Sequence, residues 1–492
     1  MMREKIERAN QFIKENKGMI NNVYRQSYHL MAPVGWINDP NGFVYYKGEY
    51  HLFYQYYPYD SVWGPMHWGH AKSKDLIHWE DLPVALAPSE EYDLDGCFSG
   101  SAIEKDGKLY LMYTGHYERE GIKREVQCIA VSEDGVHFEK IPGNPVISDQ
   151  HIKGIAQIED FRDPKIIEHR GMYYSVVASK TAEQRGQILL FQSDDLFNWR
   201  FTSILLKGKK EQGVMWECPD LFHLDGKDVL LISPIEMEKK DNSYENINST
   251  VAFIGEVDWL TGRFNVENFH EIDFGLDFYA PQTCIDKQGR RIMVAWMQMW
   301  GRNMPTNDLG HFWAGAMTLP RELHVEKQQL IQQPINTIYT FITDKKSIIE
   351  EKLDNSSIVI ENNGTKQFYI EFSGNLTLTK KLRMKIIRSN DSAIELIYEP
   401  VTEHLSISRD SFGFSITGAE TDKLTKRTAS VPLIDNRLVL EIFRDTSSIE
   451  IFAKGVAVMS MNFYEKGQSE PATLSVVGML EQVEINYGLI KV

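Results

Sequence analysis

Three carboxylic acids, Asp39, Asp163 and Glu217, are spaced as members of one site. Each stands eight or nine residues ahead of a glycine that reads as a hairpin turn, namely Gly48, Gly171 and Gly226. Ser99 holds the same place ahead of Gly107. Acids in distinct surroundings suit glycoside hydrolysis: one attacks the anomeric carbon, one protonates the leaving oxygen, and a third accepts hydrogen bonds from sugar hydroxyls. A retaining pair stands roughly 5–5.5 Å apart and an inverting pair roughly 6.5–9.5 Å. Local context divides the roles. Glu217 lies between Trp216 and Cys218-Pro219, poor solvators that favour a protonated acid. Arg162 adjoins Asp163 and is expected to hold it ionised. Taken singly, each acid also has a plain reading. Asp39 sits in an Asp-Pro-Asn-Gly turn sequence, Asp163 can form a buried pair with Arg162, and Glu217 can end a strand in solvent.

Sugar-binding side chains are sought near these acids. Gln55, Trp63, Trp68, Phe98, Ser99, Trp216, Tyr279, Trp296 and Trp300 are candidates. Aromatic faces stack on sugar C–H faces and amides fork onto vicinal hydroxyls. Any one tryptophan can equally fill the core. His67 and His70 in H-W-G-H lack a third ligand type, so neither a metal nor a cofactor is expected.

The elements that would bring the acids together are repeated. A polar entry, an apolar run, a turn glycine and a second apolar run occur five times. The glycines are Gly48, Gly107, Gly171, Gly226 and Gly289, at steps of 59, 64, 55 and 63. A second marker keeps the same phase: S-K-D-L-I-H-W at Ser73, S-E-D-G-V-H-F at Ser132, S-D-D-L-F-N-W at Ser193, and a degenerate copy, V-D-W-L-T-G-R-F, from Val257. It reads as an Asp-rich turn between third and fourth strands. Five four-stranded units predict an all-β fold, a five-bladed β-propeller over residues 28–330. Residues 1–27 read as a helical extension, with Ile6, Ala9, Phe12 and Ile13 on one face. Residues 343–492 carry short alternating strands and predict an antiparallel β-sandwich, with 326–342 as linker. The polar stretch 236–249 reads as a mobile loop.

The 492 residues are enough for more than one domain, and the net charge of −16 argues against nucleic acid and anionic membranes as partners. The N-terminus lacks the apolar core of an export signal. The four cysteines form no C-x-x-C pair. A cytoplasmic protein acting on a small sugar is expected, and a homo-oligomer is compatible with the sequence.

These motifs resemble glycoside hydrolase family 32, the invertases and fructan hydrolases. The matching segments are W-I-N-D-P-N-G, F-Y-Q, W-G-P-M-H-W-G-H, C-F-S-G-S-A, F-R-D-P, W-E-C-P-D and D-F-Y-A, in the family's order from Trp36 to Ala280, with R-D-T-S-S-I-E-I-F from Arg444 in the sandwich. The resemblance implies a propeller plus sandwich and retaining hydrolysis of a β-fructofuranoside. It implies Asp39 as nucleophile, Glu217 as acid/base and Asp163 as transition-state stabiliser. Asn38, Gln55, Trp63, Phe98, Ser99, Arg162, Asp277 and Trp300 match substrate contacts. Within the family, the wording is most like the intracellular bacterial enzymes that cleave sucrose 6-phosphate, with Arg124, Lys180, Arg185 and Arg302 as candidate phosphate partners. Two rivals stand beside this reading. One is a fructosyltransferase or short-chain fructan hydrolase using the same acids; the other is a non-catalytic carbohydrate-binding propeller.

Overall fold

Residues 35–334 fold into five sheets, antiparallel but for the short Trp313–Ala314 strand beside Gly35 and Trp36, arranged as blades around one axis. The structure, a computed structural model, describes residues 1–362, 364–389, 392–418 and 425–492. The first strands of the blades are Gly35–Tyr46, Gly96–Lys105, Phe161–His169, Met215–Leu224 and Tyr279–Ile285. Each packs on the next, and the fifth returns to the first. The turn glycines fall where expected. In the first four blades a non-glycine at positive φ precedes a glycine at positive φ, as in Lys47-Gly48 and Asp106-Gly107, the two-residue turn that matches strand twist. The fifth hairpin is different. Ile285 pairs with Arg291, so residues 286–290 form a longer loop capped by Asp286.

The second marker is an aspartate cap after the third strand of the first four blades. Asp75 Oδ1 accepts from the Ile77 and His78 amides, Asp134 from Val136 and His137, and Asp195 from Phe197 and Asn198. Asp258 does the same in the fourth blade, accepting from Leu260 and Thr261.

The sandwich is built around one 19-residue strand, Ala472–Ile490. Its first part pairs with Ser357–Ile360 and Thr379–Ser389, and its second with Ile342–Asp354 and Phe368–Asn375. The strand passes from one sheet to the other at Gly478, whose φ is +92° and whose added Cβ would lie 2.7 Å from the Leu378 carbonyl oxygen. Only glycine suits both conditions. The expected linker is shorter than 326–342. Gln329–Pro334 is the outer strand of the fifth blade, and a short 3₁₀ helix, Asn336–Phe341, leads into the sandwich. The N-terminal helix Met2–Asn16 lies on the outer strand of the first blade, where Asn10 Oδ1 accepts from the Val84 amide and Ala9 is buried.

Charged side chains sit between propeller and sandwich. Arg321 reaches Asp273 and Glu450, and Arg427 reaches Glu271 and Glu245. The stretch 236–249 is anchored here: Tyr244 donates its amide to Glu271 and Asn246 donates to the Gly275 carbonyl. His29 is buried between Asp445, at 2.8 Å, and Glu450, at 3.0 Å. Burial disfavours its charge, but hydrogen bonds and the charges of both carboxylates prevail and raise its pKa to about 9. A folded-state pKa above the unfolded 6.5 stabilises fully below pH 6.5, and the contribution is lost as pH rises through 9. The contribution is on the order of 3 kcal/mol. Melting temperature should therefore fall between pH 6.5 and 9, and His29→Gln should flatten that slope. Parallel slopes for the two proteins would disprove it.

Candidate active site

Every first strand carries a one-residue bulge at the same height. The ladder slips between Ile37 and Pro40, Phe98 and Gly100, Arg162 and Lys165, Glu217 and Asp220, and Tyr279 and Gln282. Proline stands in four of the five bulges, as Pro40, Pro164, Pro219 and Pro281, and Gly100 in the other. Proline has no amide to give a ladder, so bulges accept it. The residue ahead of three prolines is turned to positive φ: Asp163 at 63°, Cys218 at 50° and Ala280 at 51°. Such bulges re-aim side chains beside active sites. Gln282 braces this level by accepting from the Phe43 amide and donating to the Gly100 carbonyl.

The bulges surround a cavity of about 410 Å³ lined by Asp39, Asp163 and Glu217. Cys218 sits between the two aspartates. Its Sγ is 3.6 Å from Asp39 Oδ2 and 3.5 Å from Asp163 Oδ2, so those oxygens lie within about 7 Å of each other. Asp39 Oδ2 also accepts from Ser99 Oγ at 2.8 Å, while its buried Oδ1 has no hydrogen-bond partner. Asp163 accepts from the Cys218 amide at 2.9 Å, and its own amide donates to Thr114 Oγ1. Arg162 Nε and Nη2 both donate to Glu217 Oε1, at 3.0 and 2.9 Å. Tyr279 donates its hydroxyl to Glu217 Oε2 at 2.5 Å.

Electrostatics differ from the sequence expectation. Arg162 reaches across to Glu217 instead of turning back to Asp163, and its Nη1 is held by Glu125 and Asp160. Burial raises the Asp163 pKa against the opposing charge of Arg162, and the nearby Glu217 and Asp39 charges add to the rise. Burial also raises Asp39, with help from Glu217, to about 6; Ser99, Asn38 and Cys218 oppose it. Asp163, raised to about 8, therefore retains its proton at neutral pH. An attacking Asp39 must be ionised, so kcat/KM should fall as pH drops through about 6. Ser99→Ala removes a bond to the carboxylate and should move that acid limb up by about one pH unit. An unmoved limb in a kcat/KM profile would count against it.

The other sequence candidates divide. Asn38, Gln55, Trp63, Phe98, Ser99, Arg162 and Trp300 line the cavity. Trp63 is half exposed and meets Phe98 edge-on, and Phe98 stacks on His116 at 4.0 Å. Asp277 is not in the lining. It is fully buried and bound to Arg302 and Arg409, a link between propeller and sandwich. Arg302 is thereby removed from the phosphate candidates, Arg124 pairs with Asp149, and Lys180 pairs with Asp160. Trp68, Trp216 and Trp296 are core residues, and Tyr279 is buried behind Glu217. Five lining residues were not anticipated: His116, Lys123, Glu125, Glu159 and Asp160. The charge run Glu159-Asp160 ahead of F-R-D-P was a usable signal for two of them.

A closed ring that gathers three acids beside exposed aromatic side chains in one cavity defines a glycoside hydrolase. The chain belongs to glycosyl hydrolases family 32: the family's N-terminal domain matches residues 29–334 and its C-terminal domain residues 336–486. A sucrose-6-phosphate hydrolase of Escherichia coli is 37% identical over 462 residues, 92% of each chain. The Bombyx mori GH32 beta-fructofuranosidase BmSUC1 superposes with a TM-score of 0.85 at 35% identity, over 99% of this chain and 98% of that one. The sucrose-6-phosphate hydrolase of Lactobacillus gasseri does so with a TM-score of 0.85 at 29% identity, over 98% and 96%. Among the described residues no helix is long and apolar enough to cross a membrane.

Proposed function

We propose that the chain is a retaining β-fructofuranosidase acting on sucrose and on sucrose 6-phosphate. The observation that carries this reading is the convergence of Asp39, Asp163 and Glu217 on one cavity, with Asp39 held through one carboxylate oxygen by Ser99. Asp39 adds to the anomeric carbon of the fructosyl unit as the bond to the glycosidic oxygen breaks. The electron pair leaves on that oxygen, and Glu217 delivers a proton to it. Water then attacks the fructosyl ester while Glu217 takes its proton, which frees Asp39. Asp163 accepts hydrogen bonds from fructose hydroxyls, and these tighten as charge develops.

The names of the relatives support the substrate class, and the three acids support catalysis over mere binding. The four cysteines are free thiols, which suits a reducing compartment, so we place the reaction in the cytoplasm. A fluorinated fructosyl substrate that slows the second step should leave its fructosyl group on Asp39, read by peptide mass. A clean failure to label, together with sugar binding, would favour a binding propeller. Oligofructosides as the dominant product at high sucrose would favour a fructosyltransferase.

A further inference from the structure

The charges of the cavity fall into two groups. Those in its depth are tied to one another: Arg162 is shared by Glu217, Glu125 and Asp160, and Asp160 also holds Lys180 at 2.5 Å. Lys123 and Glu159 are different. Both line the cavity and both are exposed. Among the described residues neither side chain makes an ion pair or a hydrogen bond, whereas Lys180, expected to be a free cation, is already committed.

Their position follows from the strands. Lys123 and Glu125 lie two apart on Ile122–Ser132, and alternation puts them on one face, about 7 Å apart along the strand. Arg124 between them points the other way, to Asp149. Glu125 is a partner of Arg162, which grips Glu217. Glu159 directly precedes Asp160, the other partner of Arg162. Both rim charges thus flank the support of the acid/base, the group that on the reading above protonates the leaving sugar.

We infer that Lys123 and Glu159 read the charge of the leaving sugar. Lys123 binds an anionic substituent, such as a phosphate monoester, and Glu159 repels it. This rests on the β-fructofuranosidase reading above. A lone flexible ammonium is a point charge without the fork of an arginine, and an exposed one is screened by salt. The discrimination is therefore moderate and sensitive to ionic strength.

The test is the ratio of kcat/KM for sucrose 6-phosphate to that for sucrose. Lys123→Met should lower the ratio roughly 5–30-fold, and Lys123→Arg should hold it within about 3-fold. Glu159→Gln should raise it roughly 2–5-fold. Raising salt from roughly 50 to 500 mM should shrink the ratio in the parent and little in Lys123→Met. Ratios unmoved by Lys123→Met and Glu159→Gln would overturn the inference. So would a parent enzyme that cleaves sucrose and not its phosphate ester. Failure to cleave either sugar would instead overturn the fructofuranosidase reading, so the two failures are distinguishable.

Discussion

Asp39→Ala should reduce fructose release from sucrose on the order of 10⁴–10⁶-fold, the scale of losing a nucleophile. No neighbour can stand in for it. Asp163 is held at φ 63° with its carboxylate on the Cys218 amide, and Glu217 is held on both oxygens by Arg162 and Tyr279. The Cys218 thiol lies between the aspartates, but burial and the surrounding negative charges push its pKa up, so it supplies no thiolate. Two measurements separate chemistry from misfolding. The variant should melt no lower than the parent, since burying Asp39 carries a desolvation cost that alanine does not. Azide should restore part of the rate by attacking from the face that Asp39 occupied, and should give a fructosyl azide of inverted configuration. Residual activity above about a hundredth of the parent, without azide, would take Asp39 out of the nucleophile's role.

The repeat made the ring legible because hairpin chemistry recurs in local sequence: a turn glycine and an Asp cap can be counted without any tertiary knowledge. The acids were legible for the same reason, but one alignment was off by a residue. Aligning the blades on the proline of each bulge makes Asp39, Asp163, Cys218 and Ala280 equivalent, and Asn38, Arg162, Glu217 and Tyr279 equivalent. Glu217 thus comes from the position one ahead of the bulge. Its partners are then Arg162 and Tyr279, its own counterparts in the adjacent blades. Counting back from the turn glycine hid this because the bulges themselves change the count. Contacts between distant segments were not legible. Asp277 looked like a sugar ligand by its motif, yet its partners Arg302 and Arg409 come from a propeller loop and from the sandwich. Whether Trp68 or Trp63 faced the cavity depended on sheet stacking. One is a core residue and the other half exposed, and both lie in the same short motif.

Glu217→Ala should lower turnover of sucrose roughly 10²–10⁴-fold, the usual worth of a positioned acid. In kcat/KM, which reports the first step, the loss should be far smaller for β-fructofuranosyl fluoride, whose leaving group needs no proton. The contrast follows from where Glu217 is held. Two guanidinium N–H groups fix one oxygen and the Tyr279 hydroxyl the other at 2.5 Å, so the carboxyl cannot swing, and its removal leaves no other acid within reach of the leaving oxygen. Tyr279→Phe keeps the acid but frees one oxygen. It should show the same substrate contrast at smaller amplitude, with kcat affected more than KM, because the tyrosine touches the acid and not the sugar. Cleavage of the fluoride still passes through a fructosyl ester, and water must be deprotonated to clear it. In Glu217→Ala that second step becomes limiting, so a burst of fluoride should precede slow turnover, and azide should raise the steady-state rate and so remove the burst by attacking the ester without a base. Equal losses on sucrose and fluoride, with no burst, would mean that Glu217 shapes the cavity and does not handle the proton.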